Sequence, residues 1–305
     1  DCFQVGLACM GSGNYSHQEA LVTVPCLDPE ICDLSVIHSQ EVPEFFQSTV
    51  LQNQTIEPKD IVPEELEGWK DAIRAELKSF EDLGVYDEIP SGEFRGKALP
   101  MMLVLVKKAL GAGTYKYKAR IVVCGQFQKV HENEVTAANV PAFPMLRVAM
   151  SVASLKGWEV ACWDVSTAFL YARLFGDRDG DLDGNPIYVR PPGWCVRHDL
   201  VSGDVVWKLK KALYGLRTSP VAWERERDAT ISKFTWKVDG QEYALFPVPD
   251  SPCVWTIRKS EDSAAKCEAS GFLIAYVDDI LCTGPSERLP PIRAELDLMY
   301  AMKAS

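Results

Sequence analysis

Gly271-Phe-Leu-Ile-Ala-Tyr-Val277, then Asp278-Asp279, then Ile280-Leu-Cys-Thr283 is the stretch that decides the fold. Two short apolar runs are separated only by two acids, the pattern of buried strands joined by a tight hairpin. Aspartate is common in turns, so the pair alone reads as readily as a solvated hairpin tip. A second segment changes the weighing. Val160-Ala-Cys-Trp-Asp164-Val165 reads as a buried strand with Asp164 at its end, where a carboxylate is costly unless paired, hydrogen-bonded or metal-bound. By itself Asp164 is more readily structural than catalytic. Taken together, a strand-end acid and a hairpin pair can supply what two-metal phosphoryl transfer needs, carboxylates from separate segments holding ions about 4 Å apart.

Working outward, Pro63 with Glu64 and Glu65 marks a helix start. Trp69, Ile73, Leu77 and Phe80 then recur at helical spacing until Gly84. Leu103–Val106 and Tyr115–Cys124 read as a hairpin whose loop carries Gly111-Ala-Gly113. In its second strand Lys116, Lys118 and Arg120 alternate onto one face, opposite Tyr115, Tyr117, Ala119 and Ile121. That face is either a solvated ridge or a phosphate-binding one. Pro144 opens a second helix with Leu146, Ala149, Met150 and Ala153 on one side and Gly157 at its end. Val205–Lys210 is another strand with alternating lysines, and Ser219-Pro220 opens a third helix carrying Trp223, Ile231 and Phe234.

Composition narrows the classes. A chain of 305 residues that is 47% hydrophobic can bury a real core. Its apolar runs fall far short of the roughly 20 residues of a membrane span, so a soluble protein without membrane contact is expected. No targeting signal is legible at Asp1. The net charge of −11 argues against indiscriminate nucleic-acid binding, yet Lys107–Lys129 holds six basic residues and no acid, while Asp60–Glu93 is dominated by acids. Ten cysteines without a C-x-x-C pair read as reduced and mostly buried thiols. Residues 1–58 read as a poorly structured leader whose Cys26, Cys32 and His38 match no zinc spacing. The run Asp177-Arg-Asp-Gly-Asp-Leu-Asp183-Gly184 imitates a calcium loop, but position twelve is Arg190 where glutamate is required, so an exposed acidic loop is expected.

The motifs carry a resemblance. Tyr276-Val-Asp-Asp279 resembles the Y-V-D-D signature of reverse transcriptases, and Asp164-Val-Ser-Thr-Ala-Phe-Leu170 resembles the D-V-x-x-A-F-L block of the copia class. Further copia-like blocks follow in order. They are Trp69-x-x-Ala72 with Glu76-Leu77, Lys118-Ala-Arg-Ile-Val122 with Gly125 and Gln128, Tyr188-Val-Arg-Pro-Pro-Gly193, and Leu213-Tyr-Gly-Leu216 with Pro220 and Trp223. The chain is similar to a copia-type retrotransposon reverse transcriptase over roughly residues 60–284.

The resemblance implies an α+β fold, a right-hand polymerase with fingers and palm, an antiparallel sheet backed by helices, and the thumb missing. It implies fingers at about 59–140 and 176–217, palm at about 141–175 and 218–284, and the start of a C-terminal helix region at 285–305. Asp164, Asp278 and Asp279 would bind two Mg²⁺ ions, with Mn²⁺ as a substitute. Lys118 and Arg120 would contact the incoming dNTP triphosphate, and Phe169 would gate against a sugar 2′-hydroxyl. Tyr214, Gly215 and Arg217 would position an RNA or DNA template with its primer, Gly215 letting the backbone approach the duplex. Other polyprotein domains would be partners, and an active element would place the protein in a cytoplasmic particle. Departures from the family are Arg217-Thr218, where Lys-Gln is usual, and the Phe175–Asn185 insert. Rival readings are an inactive remnant that only binds nucleic acid, a metal-dependent nuclease, and an acidic interaction domain. The ordered blocks, the basic ridge and the three aspartates count against them.

Overall fold

The computed structural model describes residues 53–111, 114–129, 136–174, 186–261 and 269–304. The Cys26, Cys32 and His38 leader segment, the Ala112–Gly113 loop tip and the Asp177–Gly184 run lie outside the described residues. In chain order the elements are β1 (Gln54–Ile56), α1 (Leu66–Asp82), β2 (Tyr86–Pro90), β3 (Leu99–Gly111), β4 (Thr114–Val123) and α2 (Phe143–Lys156). Next come β5 (Glu159–Val165), β6 (Tyr188–Arg190), α3 (Gly193–Arg197), β7 (Val205–Leu209) and α4 (Ser219–Ile231). The last are β8 (Thr235–Val238), β9 (Gln241–Pro247), β10 (Val254–Lys259), β11 (Phe272–Tyr276), β12 (Asp279–Gly284), α5 (Leu289–Met299) and β13 (Met302–Ala304).

Two sheets result. One runs β1-β3-β6-β7-β2 with β4 paired to β3, and the other runs β13-β5-β12-β11-β10-β9-β8. In the second every pairing is antiparallel, so strands distant in sequence meet side by side at its centre. Mixed helix and sheet is therefore the observed class.

Helix α1 forms where the periodicity predicts. Its buried face is Trp69, Ile73, Leu77 and Phe80, and it ends just before Gly84, whose φ of +58° suits a residue without a side chain. Its outer face is laced by ion pairs such as Arg74 to Asp71 at 2.6 Å. The apolar face lies against the β3–β4 hairpin, where Leu103, Leu105, Ala119, Ile121 and Val123 are buried. Helix α2 is capped by Gly157 in the left-handed conformation and packs Ala149 on Val254 and Ile274. Trp223 on α4 and Ile292 and Leu296 on α5 join the main core on the other face of the second sheet.

Several expectations need correction. Strand β5 is buried on one face only: Trp163 and Val165 are covered, whereas Val160 and Cys162 are exposed. An apolar hexapeptide carries no sign of which face lies open. Pairing begins at Gln54, four residues before the leader was expected to end, because a three-residue strand has no periodicity to read. The segment after Gly284 is not helix alone, since Met302–Ala304 returns to pair with β5. Phe234 is buried but follows α4 rather than belonging to it. Among the described cysteines all are free, with Cys195, Cys253 and Cys282 buried, Cys124 partly covered and Cys162 exposed.

Candidate active site

The hairpin tip differs from the sequence reading in one instructive way. Tyr276 pairs with Asp279, so the two-residue turn is Val277-Asp278 and Asp279 already belongs to β12. On its other edge Asp279 is register partner to Asp164 of β5. Residues directly opposite in an antiparallel pair share a face, so the two carboxylates lie side by side on the sheet. Asp278 is tied to the same place because its carbonyl accepts the Val165 N–H at 2.9 Å. Three acids from two distant segments thus converge at one strand end.

The turn holding them is strained. Val277 has φ +54°, a conformation rare for a β-branched residue and costing about 1–3 kcal/mol. The Trp223 indole N–H donates to the Val277 carbonyl at 2.7 Å. Trp223 is in turn braced edge-on by Tyr300, with centroids 5.2 Å apart, and Tyr300 by Tyr171 at 5.1 Å. The Tyr171 hydroxyl accepts the Ala301 N–H at 2.8 Å, which links the brace to the chain entering β13.

Electrostatics mark the convergence. Burial pushes the Asp278 carboxyl above its ordinary value, and the charges of Asp279 and Asp164 push it further. Asp279 is likewise raised, first by burial and then by Asp164. Such a concentration of negative charge calls for a cation. Among the described residues no three His, Cys, Asp or Glu side chains form a metal cage by themselves. An all-oxygen donor set of a few carboxylates nonetheless suits Mg²⁺, which is usually held by one or two carboxylates together with substrate phosphates.

The basic ridge faces this centre, though its members differ. Lys118 feels Asp164, while burial and the neighbouring Arg120, Lys108 and Lys303 lower its pKa. Arg120 is not a free cation: its guanidinium donates to the buried Glu76 carboxylate at 2.7 Å and lies 5.1 Å from the Tyr214 ring centroid. Tyr214 meets Phe169 edge-on at 5.4 Å. Burial pushes the Tyr214 hydroxyl up to about 12, so it stays protonated at neutral pH.

Gly215, with φ +88°, is glycine for an internal reason, since an added Cβ would lie 2.1 Å from the Val123 carbonyl oxygen. Its own carbonyl leaves the same lack of room at Gly125, where a Cβ would sit 2.0 Å away. Arg217 is exposed, and its backbone N–H is held by Gln128 Oε1 at 2.8 Å. The structure therefore brings Asp164, Asp278, Asp279, Lys118, Arg120, Phe169 and Tyr214 into one neighbourhood. Gly215 borders it against β4, and Arg217 against Gln128 beyond that strand. Sequence reasoning missed the roles of Glu76, Lys303 and Val277. Glu76 was the most legible, as an acid among the apolar positions of α1. Lys303 is placed opposite Asp164 by β13, which no pattern announces.

Comparison with known proteins decides the family. Residues 86–252, more than half of the chain, match the family model described as reverse transcriptase (RNA-dependent DNA polymerase). The chain belongs to the reverse transcriptase family. The match includes Asp164 and stops before Asp278. It is 29% identical over 237 residues to the retrovirus-related Pol polyprotein from transposon TNT 1-94 of Nicotiana tabacum, covering 76% of this chain and 16% of that protein. Similarity to the Pol polyprotein from transposon RE1 of Arabidopsis thaliana is 26% over 221 residues, covering 72% and 13% respectively. A putative transposon Ty5-1 protein of Saccharomyces cerevisiae is 28% identical over 142 residues, 46% of this chain and 37% of that protein. These relatives agree with the copia-type resemblance read from the motifs. The chain spans well under half the length of each. Among the described residues no helix is long and apolar enough to cross a membrane.

Proposed function

We propose that this reverse transcriptase segment is the fingers and palm of an RNA-directed DNA polymerase of a copia-type retrotransposon, extending a primer 3′-hydroxyl from dNTPs. The observation that carries the reading is the cross-strand pair Asp164 and Asp279 with Asp278 in the adjoining turn. In this reading the palm is about 141–175 and 218–284 and the fingers about 59–140 and 176–217, with residues 1–58 as a leader and 285–305 as a C-terminal segment.

Asp164, Asp278 and Asp279 would hold two Mg²⁺ or Mn²⁺ ions. When bound, divalent ions supply the positive charge that makes the primer hydroxyl more acidic and neutralises the pyrophosphate as it leaves. Lys118 and the outer side of the Arg120 guanidinium meet the triphosphate, a point charge and a planar fork on phosphate oxygens. Phe169, fixed against Tyr214, excludes a 2′-hydroxyl. Tyr214, Gly215 and Arg217 position an RNA or DNA template with its primer, whose base pairing selects the nucleotide. Other polyprotein domains are the protein partners, and an active element assembles them in a cytoplasmic particle. Asp278→Asn tests the assignment: primer extension is abolished while the thermal unfolding transition persists. Extension retained in that variant removes Asp278 from the chemistry.

A further inference from the structure

Glu76 stands out as a buried acid that the proposed chemistry does not use. It lies in the core-facing side of α1 at 3% exposure, where an unpaired charge would be strongly unfavourable. Its side chain pairs with Arg120, which comes from β4 across the helix–hairpin interface. Arg120 has 29% of its side chain exposed against 2% for Glu76, so the carboxylate is an anchor and the guanidinium the part that reaches outward.

What the guanidinium reaches is the ring of Tyr214, at 5.1 Å. The Tyr214 backbone is independently fixed, its carbonyl accepting the Val123 N–H at 2.8 Å and the next residue pressed against β4. With the backbone fixed, the ring's remaining freedom is rotation of the side chain, and Arg120 on one side and Phe169 on another limit it. Phe169 meets the ring at 67°, and rides on the short turn Ala168–Tyr171 entered through Thr167 at φ +55°.

We propose that Glu76 is a positioning residue for sugar selection, acting through the contact series Glu76, Arg120, Tyr214 and Phe169. This rests on the polymerase reading above. Steric rejection of one hydroxyl depends on ring placement to within a fraction of an ångström, because a side chain free to swing admits the larger substrate. A buried ion pair is a geometric constraint well suited to that task, since neither partner can leave alone without stranding the other's charge.

The test is single-nucleotide incorporation by the full chain, measuring kcat and KM for a dNTP and the matching rNTP. Two variants are compared with wild type, Glu76→Gln and the double variant Glu76→Gln with Arg120→Met. Both nucleotides carry the same triphosphate, so lost phosphate contact cancels in the ratio of their kcat/KM values. The expected result is a fall in preference for the dNTP of about tenfold in both variants, the size of one cation–π contact, misplaced when its anchor is lost and removed when Arg120 is replaced. Thermal unfolding separates this from a purely structural role. The double variant, with no stranded charge, recovers much of the stability lost in Glu76→Gln but none of the selectivity. An unchanged dNTP:rNTP ratio in both variants, or selectivity that returns together with stability, overturns the proposal while leaving the polymerase reading intact. A wild-type chain that extends no primer removes the polymerase reading, and the relay with it.

Discussion

Replacing Trp223 by Phe removes one hydrogen bond and little else, because the ring stays apolar and the helix is undisturbed. The bond at stake is the 2.7 Å donation to the Val277 carbonyl, the fastening of a turn whose β-branched residue sits at φ +54°. A hydrogen bond contributes about 0.5–1.5 kcal/mol net, and a carbonyl left buried without its donor costs about 1–3 kcal/mol. We take about 2 kcal/mol for the loss, within the second range, which in a domain of this size lowers Tm by about 4–8 °C. Release of the turn lets Val277 relax toward ordinary φ and carries Asp278 away from Asp164, so extension slows by about tenfold or more. Differential scanning fluorimetry and single-turnover incorporation read the two quantities. Glycine adopts positive φ without steric cost, so Val277→Gly in the Trp223→Phe background restores part of the rate. A Tm within about 1 °C of wild type and an undiminished rate would refute the brace.

Three other outcomes are expected from the same structure. Asp278 has a raised pKa in the fold, so above the ordinary value of 3.8 the folded state binds more protons than the unfolded chain, and stability falls as pH rises through that window. Asp278→Asn therefore unfolds at a higher temperature than wild type at pH 7 in the absence of metal, with a smaller difference at acid pH; an equal or lower Tm at pH 7 contradicts this. Gly125→Ala places a methyl group 2.0 Å from the Gly215 carbonyl oxygen, backbone against backbone, and destabilises the chain by about 4 kcal/mol or more in urea unfolding. Among the described cysteines Cys162 is alkylated first in the native chain and Cys282 last, as peptide mass mapping after timed iodoacetamide treatment would show. Burial raises both thiols, but Cys162 alone of the two is exposed.

The aspartates were legible because two strong constraints coincide on them, an apolar strand pattern and an acid at its end. Sequence could show that Asp164 lies near the end of one apolar strand and Asp278-Asp279 between two others. It could not show that β5 and β12 are neighbours, since strand pairing at such separation depends on which faces the intervening helices cover. Helix α1 was legible down to its terminating glycine, because one stripe of apolar residues and a Gly84 at positive φ are local properties. Local propensity also explains the hairpin of β3 and β4, though it gave no sign that Arg120 is tied to Glu76. Glu76 lies on another element, and a salt bridge between helix and strand leaves no periodic trace. Gly215 shows the converse: the sequence called for glycine, but the reason found in the structure is crowding against Val123. The β13 strand, with Lys303 opposite Asp164, is three residues long and had no pattern to offer.

The most direct test of the account is Mg²⁺-dependent extension of a DNA primer on an RNA template by this chain, run beside its Asp164→Asn variant. The account predicts dNTP-dependent extension by the wild-type chain and none by the variant, with both showing the same cooperative unfolding. Extension that survives in Asp164→Asn, or a wild-type chain that folds yet extends no primer, would contradict it.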